Sequence, residues 1–347
     1  MRARVTVLED VAFRVDGLRF FEHLPRSLAS SGEVVTLDLS ACSIAEGMWA
    51  LPALEGIAAQ LPRARFDVRA EGELAPLVRA HLAAKKHPVT RSNGDAGALV
   101  IELAPRLTMR PRVRRESSGQ HRLLVPSRPF PKRRQHAWGH WVDGARACGF
   151  DVSAARPRLS FDDPHASRSA RQWLRERFGR RGRTLVALLP SSGSRTPGDA
   201  RRDARNDSAW GVENFAALGR VLETRLGAAL LCRGTHVPGA IALDELDIVT
   251  VAHVLAVTAV AIGDAGGLVH VAAAAGAAAV SLHGETPPEE RGVASELGAA
   301  ISADRCRCEE PRAGCLACIA PARVAGVAER LAGQRWPWDR LAQVGLR

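Results

Sequence analysis

Tyrosine is absent from this sequence of 347 residues, and lysine occurs only at Lys85, Lys86 and Lys132. The net charge of +11 is therefore carried almost wholly by arginine. An arginine-rich surface favours anionic partners such as nucleic acid, acidic lipid headgroups and phosphorylated saccharides, although genomic base composition alone also replaces lysine by arginine. No run interleaves basic and aromatic residues as RNA-binding surfaces do, which disfavours nucleic acid as the partner.

Long apolar runs are absent as well. No apolar run reaches the roughly 18 residues that span a bilayer, and residues 1–10 end in Glu9 and Asp10 rather than leading into an apolar signal core. We therefore expect a cytoplasmic protein. The length exceeds that of one usual core, and a composition of 46% hydrophobic and 24% charged residues is that of a soluble globular protein.

Strand-like apolar runs alternate with amphipathic helical segments, which is typical of parallel α/β architecture. The sequence predicts strands at 34–39, 65–68, 98–103, 184–189 and 228–232, and helices at 51–60, 74–84, 136–148, 161–178, 212–225 and 248–257. Residues 105–135, rich in Arg, Pro and Ser, are predicted to form a loop. Because the pattern restarts at 184, we expect two Rossmann-like domains, at 1–180 and 181–347, with parallel sheets that face each other across a ligand-binding cleft.

The segment 254–284 has the order strand, glycine loop, helix, strand. Its apolar run ends in Gly-Asp-Ala-Gly-Gly-Leu-Val-His at 263–270. Gly266 and Gly267 allow the backbone to turn close to a ligand, and a helix that begins near residue 268 directs free N–H groups at the loop. This pattern predicts a phosphate site in which Asp264 accepts from sugar hydroxyls and His270 donates to a phosphate. The alternative is an ordinary tight turn with Asp264 as a cap.

Four motifs in order resemble those of glycosyltransferase family 9, the bacterial heptosyltransferase family. Residues 45–54, Ala-Glu-Gly-Met-Trp-Ala-Leu-Pro-Ala-Leu, resemble Gly-Asp-Val-x-x-x-Leu-Pro-Ala-Leu, and residues 61–66 fit Phe-Pro-x-Ala-x-Ile. Residues 210–215 are similar to Trp-Pro-x-Glu-x-Phe. Residues 263–287 resemble Asp-Thr-Gly-x-x-His-x-x-Ala-Ala with a following Phe-Gly-Pro-Thr. The resemblance spans about residues 34–333 and implies a GT-B fold, with acceptor-side domain 1–180 and nucleotide-sugar domain 181–347.

Three positions depart from the family pattern. The family's first-loop Asp, its candidate general base, falls on Glu46, and the extra methylene moves the basic oxygen by about an ångström. A basic residue of the family falls on Ser208. The family's second-domain Asp falls on Ala265, one place after Asp264. Glu46 is alternatively a carboxylate that favours a helix N-terminus.

The resemblance implies direct displacement at the anomeric carbon of the donor. Glu46 would remove the acceptor proton, while helix N-termini, His270 and residues of the 190–209 loop would stabilise the departing nucleotide diphosphate. The candidate loop residues are Ser191, Ser192, Arg195 and Arg205, of which the serines are alternatively turn or cap residues. Because arginine and helix dipoles neutralise phosphate charge, this chemistry requires no cofactor or metal.

We therefore expect a glycosyltransferase that moves a sugar, with heptose from ADP-heptose as the first expectation, to a lipopolysaccharide core or a related cell-surface glycan or protein. Basic runs at 110–115 and 132–134 are either solvated charge or contacts to an anionic glycolipid or glycan acceptor, with peripheral contact at the inner face of the membrane. The alternative is a catalytically altered family member that serves as a binding or assembly subunit. A third, weaker hypothesis is a basic nucleic-acid-binding protein.

Four of the seven cysteines cluster near the C-terminus, at Cys306, Cys308, Cys315 and Cys318. In a cytosolic chain such clustering favours a metal over disulfides, and four thiolates suit tetrahedral zinc or iron. The alternative is a packed loop of reduced thiols. Resemblance adds to the metal hypothesis, because autotransporter-protein heptosyltransferases of the family are described with an iron-binding cysteine finger.

Overall fold

In a computed structural model of the chain, the described residues are 34–90, 99–105, 112–115, 121–127, 135–179, 183–191, 210–264, 266–284, 287–303 and 315–335. They form two compact units. The first holds the described residues up to Cys42 together with Trp49–Arg156 and Ser160–Asp162. The second holds Ser43–Met48, Pro157–Leu159 and the described residues from Asp163 onward.

The first unit is built on a six-stranded sheet in the order β3-β2-β1-β4-β6-β5. All pairs are parallel except β5 with β6. The strands are β1 (Val34–Asp38), β2 (Arg65–Arg69), β3 (Val89–Thr90), β4 (Leu99–Ala104), β5 (Arg112–Arg115) and β6 (His121–Pro126). The helices are α1 (Ile44–Ala59), of which the residues up to Met48 group with the second unit, α2 (Leu74–Ala84) and α3 (Ala137–Ala147).

The expectation of an irregular loop over 105–135 is wrong where the chain is described. Strand β6 pairs along its length with the central strand β4, and β5 forms an antiparallel partner at the sheet edge. The physical reason is the short apolar run Leu123–Val125, whose three side chains are buried. Arginine and proline residues on both sides make the segment polar on average, so its composition does not indicate a strand.

Helix α1 begins earlier than predicted, so that Glu46 lies in its first turn and not in a loop. Ser43 and Glu46 form a reciprocal capping box. The backbone N–H of Ser43 donates to Oε2 of Glu46 at 2.8 Å, and the N–H of Glu46 donates to Oγ of Ser43 at 3.3 Å. These bonds satisfy donors that a helix start leaves unpaired. Pro52 lies inside the same helix.

The second unit contains a six-stranded, all-parallel sheet in the order β12-β11-β10-β7-β8-β9. Its strands are β7 (Leu185–Leu189), β8 (Ala229–Cys232), β9 (Ile241–Ala242), β10 (Val260–Asp264), β11 (Ala279–His283) and β12 (Gly298–Ser302). Its helices are α4 (Pro164–Phe178), α5 (Val212–Leu226), α6 (Ile248–Ala256), α7 (Gly267–Ala274), α8 (Pro288–Arg291) and α9 (Pro321–Arg335). The predicted α/β class with two Rossmann-like parallel sheets is thereby confirmed.

The central strands of this sheet are covered on both faces. Every residue of β10 and β11 is buried, as expected where helices pack on both sides of a parallel sheet. One face packs against Trp210 and Phe215, whose rings meet edge to face at 4.9 Å. Asp247 is the N-cap residue of helix α6, and its carboxylate accepts from the N–H groups of Val249 and Thr250 at 3.0 Å each.

Helix α4 groups with the second unit, whereas the predicted boundary at 180 lies after it. The helix packs against α6. Trp173 Nε1 donates to Oε1 of Glu245 at 2.5 Å, and Arg177 pairs with the same oxygen at 2.9 Å. Asp163 caps the helix by accepting from the N–H groups of His165 and Ala166. Across the described part of the chain, none of the helices is long and apolar enough to cross a membrane.

A buried histidine in the first unit makes its stability sensitive to acid. The His81 side chain is fully buried, and its Nδ1 accepts from the N–H of Ser160 at 3.1 Å. Burial lowers the pKa of His81 to about 4, although nearby Glu55 opposes the shift. The unfolded chain therefore binds more protons than the folded chain between about pH 4 and 6.5, and stability falls as the pH drops through that range.

We predict that acidification from pH 7 to pH 5 costs about 2 kcal/mol of unfolding free energy through His81, given its lowered pKa. In His81→Asn the amide oxygen still accepts from Ser160, and the pH-dependent part of the loss should disappear. Urea unfolding of both proteins at the two pH values measures the difference. Equal losses in the two proteins would contradict the prediction.

Candidate functional site

The candidate site lies where strands β7 and β10 end, in the middle of the second sheet. These strands are neighbours, and Leu189 pairs with Gly263. Ser191 follows β7, and Asp264 is the last residue of β10. Ligands of open parallel sheets bind outside the carboxyl ends of such strands. The structure therefore brings the predicted residues Ser191, Asp264, Gly266 and Gly267 to one edge of one sheet.

Asp264 is buried, with 1% of its surface exposed, and its carboxylate is directed at protein groups. Oδ1 accepts from the N–H of Ser191 at 2.6 Å, and Oδ2 accepts from Oγ of Ser191 at 2.9 Å. The backbone N–H of Trp210 also donates to the carboxylate. Burial raises the pKa of Asp264, while the bonds from Ser191 and Trp210 act in the opposite direction.

The helix that follows β10 begins close to the predicted position near residue 268. Helix α7 begins at Gly267, and Gly266 is its N-cap residue with no side-chain cap. Backbone N–H groups of the first helical turn are suited to an anionic ligand. A Cβ atom at position 266 would lie 3.2 Å from Cβ of Ser191, and one at position 267 would lie 2.5 Å from Cβ of Ile44. Packing therefore favours glycine at both positions.

The Gly267 contact places the start of helix α1 beside the turn. Ile44 and Glu46 belong to Ser43–Met48, a segment whose contacts assign it to the second unit. The Glu46 carboxylate is engaged by Ser43, whose Oγ also donates to Oε2 at 3.0 Å. The structure thus shows the capping role of Glu46, and its role as general base stays a prediction.

His270 lies on α7, three residues after Gly267, and is 2% exposed. Its predicted donation to a phosphate stays a prediction. A second buried histidine, His283, ends the neighbouring strand β11, and its Nε2 lies 2.8 Å from Oγ of Ser281. His283 stands where the family motif quoted above has phenylalanine, and no role for it was predicted from the sequence.

Other predicted residues lie outside the described part of the chain. Ser192, Arg195 and Arg205 fall within 192–209, together with Ser208, and Ala265 is also outside. Of the cysteine cluster, Cys306 and Cys308 are outside, as are the side chains of the basic runs at 110–115 and 132–134. Predictions that rest on these residues stay predictions.

The two described cysteines of the cluster flank a short turn. Cys315 precedes a 3-10 turn over Leu316–Cys318 and Cys318 ends it, with both thiols half-buried. The N–H of Cys318 donates to the carbonyl of Cys315 at 3.2 Å. The described residues contain no group of three or more metal ligands.

Trp210 connects this segment to the site, a role that sequence analysis missed. Its indole Nε1–H donates to the carbonyl of Ile319 at 2.9 Å, while its backbone N–H donates to Asp264. The signal in the sequence was the motif at 210–215, which marks the start of α5. A motif gives the position of the tryptophan, but it does not give the partners of its two N–H groups.

Comparisons with solved structures agree with this architecture. The chain matches a glycosyltransferase family 9 protein from Veillonella parvula and the ADP-heptose LPS heptosyltransferase II of E. coli, each at 14% identity and TM-score 0.60. Both alignments cover 87% of this chain, and 97% and 99% of the respective structures. The E. coli heptosyltransferase WaaC with ADP matches at 16% identity and TM-score 0.57, over 86% of this chain and 99% of that one.

No protein-family model matches the sequence, and no curated protein matches it significantly. The likeness is therefore one of fold, carried over nearly the full length of the solved chains at low identity. It confirms the predicted architecture: this chain has the α/β fold of the glycosyltransferase family 9 heptosyltransferase structures.

Proposed function

We propose that the chain is a glycosyltransferase of the family 9 type, which transfers a sugar from a nucleotide-sugar donor. The proposal is supported by the combination of a fold like that of family 9 structures with a cluster of candidate residues at the carboxyl ends of β7 and β10 in the second sheet. At that edge Ser191, Asp264 and the turn at Gly266 come together beside an uncapped helix start. Donor identity rests on similarity alone, since solved relatives are heptosyltransferases and one holds ADP.

In the proposed reaction, the donor diphosphate binds at the N-terminus of α7, where backbone N–H groups and the helix dipole favour negative charge. His270 and arginines of the 192–209 segment, Arg195 and Arg205 among them, add donors as the diphosphate departs. Arginine and helix dipoles supply this stabilisation in place of a metal or cofactor.

Glu46 is the proposed general base, which removes the proton from the acceptor hydroxyl as that oxygen attacks the anomeric carbon. The carboxylate stands in the first turn of α1, and Ile44 of the same turn lies against Gly267. Ser43 orients this carboxylate through two hydrogen bonds, so accepting the substrate proton requires that Glu46 exchange at least one of them for the acceptor.

We propose an anionic acceptor, a lipopolysaccharide core or a related cell-surface glycan or protein, reached by a cytoplasmic enzyme in peripheral contact with the inner membrane face. The support is the net charge of +11, which attracts anionic glycolipids and membrane surfaces. Heptose and ADP-heptose are the first sugar and donor to test.

A catalytically altered binding or assembly subunit is the second candidate. Two observations favour it: the Glu46 carboxylate is used as a helix cap, and the Asp264 carboxylate accepts from protein donors. Such a protein would bind a nucleotide sugar or a glycan without transferring it.

Nucleotide binding tests the donor site first. We predict that one of ADP, UDP, GDP and CMP, or a sugar conjugate of it, raises the melting temperature by a few degrees, since ligand at 100 times its Kd contributes about 2.7 kcal/mol. His270→Ala should lose most of this rise. His253→Ala, a substitution on helix α6 of the same unit, is the matched control and should keep it. No rise with any nucleotide in folded wild-type protein would contradict the proposed donor site.

Two variants separate the catalytic from the capping role of Glu46. Glu46→Gln keeps an oxygen that accepts from Ser43 but removes the base, and should lower turnover of ADP-heptose with a heptose-free core acceptor by about 10²- to 10⁴-fold at unchanged ADP affinity. Ser43→Ala removes the hydroxyl of the cap, which costs about 1 kcal/mol of stability. It keeps the backbone N–H that orients Oε2 of Glu46, so it should retain most turnover. Equal turnover in Glu46→Gln and wild type would exclude Glu46 as the base.

We also propose that the cysteine cluster binds a structural zinc or iron ion. Cys315 and Cys318 stand at the two ends of one 3-10 turn, with a spacing that suits two thiolate ligands of a tetrahedral site. Leu316 and Ile319 anchor the turn in the core of the second unit. Cys306 and Cys308 would complete the ligand set.

Elemental analysis of purified protein tests this site. We predict roughly one equivalent of zinc or iron per chain, as a four-thiolate site binds, and its loss in Cys315→Ser and Cys318→Ser. Cys42→Ala, which removes a thiol of the first unit, should retain the metal. Metal-free wild-type protein with four titratable thiols in the cluster would favour the packed reduced loop.

A further inference from the structure

The carboxylate of Asp264 has little capacity left for a ligand. It accepts from two backbone N–H groups, of Ser191 and Trp210, and from the hydroxyl of Ser191. A carboxylate offers about four acceptor positions, so three are used by the protein. Only 1% of the residue is exposed, so its side chain points into the protein. Such a carboxylate holds protein segments in place and is poorly placed to contact a sugar hydroxyl.

Its partners flank one connection of the second unit. Ser191 is the last described residue after β7, and Trp210 lies two residues before the start of α5. Both ends of the connection between β7 and α5 thus bond to a single side chain at the end of β10. In the sequence, the arginines at 195 and 205 lie between these two residues. The carboxylate therefore fixes where the connection leaves the sheet and where it returns.

Trp210 is held from its other side as well. Its indole donates to Ile319 at 2.9 Å and its ring packs edge to face on Phe215, so the position of its backbone is set by the core. Gly266 completes the arrangement, because a Cβ there would lie only 3.2 Å from Cβ of Ser191 and would contact Oδ1 of Asp264 at 3.7 Å. Hydrogen bonds and close packing thus fix the positions of the residues in this cluster.

We propose that Asp264 is a positioning residue, which clasps Ser191 and Trp210 and so sets the geometry of the donor site without contacting the sugar. The inference rests on the proposed nucleotide-sugar function only for its effect on binding. It also accounts for the offset of Asp264 by one residue from the family motif: the family's position falls on Ala265, and Asp264, the last strand residue, serves the fold.

The clasp makes a distinctive prediction about ligands. A residue that contacts only the sugar would, when removed, weaken a nucleotide sugar and leave the nucleotide unaffected. Loss of a clasp weakens both by the same factor. We expect Asp264→Ala to weaken ADP and ADP-heptose alike, by about tenfold, the scale of one lost charge-assisted hydrogen bond. Ser191→Ala should act in the same direction, and the double variant should be no weaker than the weaker single variant.

Asp264→Asn is the conservative variant. The amide oxygen accepts from the N–H of Ser191, and the amide N–H₂ donates to its hydroxyl, so most of the affinity should return. Asp247→Ala is the matched control, since that carboxylate also accepts from two backbone N–H groups and one hydroxyl in the same unit. It should lower stability while leaving both affinities unchanged.

Amide hydrogen exchange supplies a readout that needs no ligand. In Asp264→Ala the amides of Ser191 and Trp210 should exchange at least tenfold faster than in wild type, and Asp264→Asn should restore protection at Ser191. Unchanged exchange at both amides would overturn the clasp. A selective loss of ADP-heptose affinity in Asp264→Ala, with ADP affinity intact, would show that Asp264 contacts the sugar and would overturn the proposal. If wild type binds no nucleotide while the amides respond, the proposed function fails and the clasp stands.

Discussion

The buried carboxylate at the end of β10 requires hydrogen-bond donors, and this requirement constrains the segments around the carboxyl end of that strand. Asp264 ends a strand that is buried along its whole length, and a buried carboxylate is costly unless donors surround it. Those donors come from Ser191 and Trp210, which lie at the two ends of the connection between β7 and α5. Because β7 lies next to β10, the donors after β7 come within reach of the carboxylate. The strand order of the sheet therefore determines whether this carboxylate can be buried.

Most of the fold was predictable because hydrophobic periodicity reports burial directly. Strands with both faces covered read as apolar runs, and α2 was predicted to the residue. The failures have local causes. The apolar core of β6 is only Leu123–Val125, set among arginine and proline, so its pairing with β4 was invisible to composition. The start of α1 was missed although Ser43 and Glu46 form a capping box, because Gly47 and Pro52 lower helix propensity around it.

The position of the candidate site was predictable from the sequence, but the direction in which its side chains point was not. Glycines after an apolar run locate the turn, and the turn locates Asp264 at a strand end. Where its carboxylate points depends on Ser191, 73 positions away in the sequence, and on the register that brings Gly263 opposite Leu189. No local pattern contains that register. The same holds for Trp210, whose indole partner Ile319 lies 109 positions away.

In Glu46 an observed structural role and a proposed chemical role fall on one side chain. A capping box fixes the carboxylate with two bonds from Ser43, and this order is present before any substrate arrives. Prior orientation matters for a general base, because misplacement by about an ångström is costly in a positioned site. The longer side chain at position 46 is compatible with catalysis if the cap compensates for its extra methylene. The cap then belongs to the site, and removing the carboxylate while keeping the helix start distinguishes the two roles.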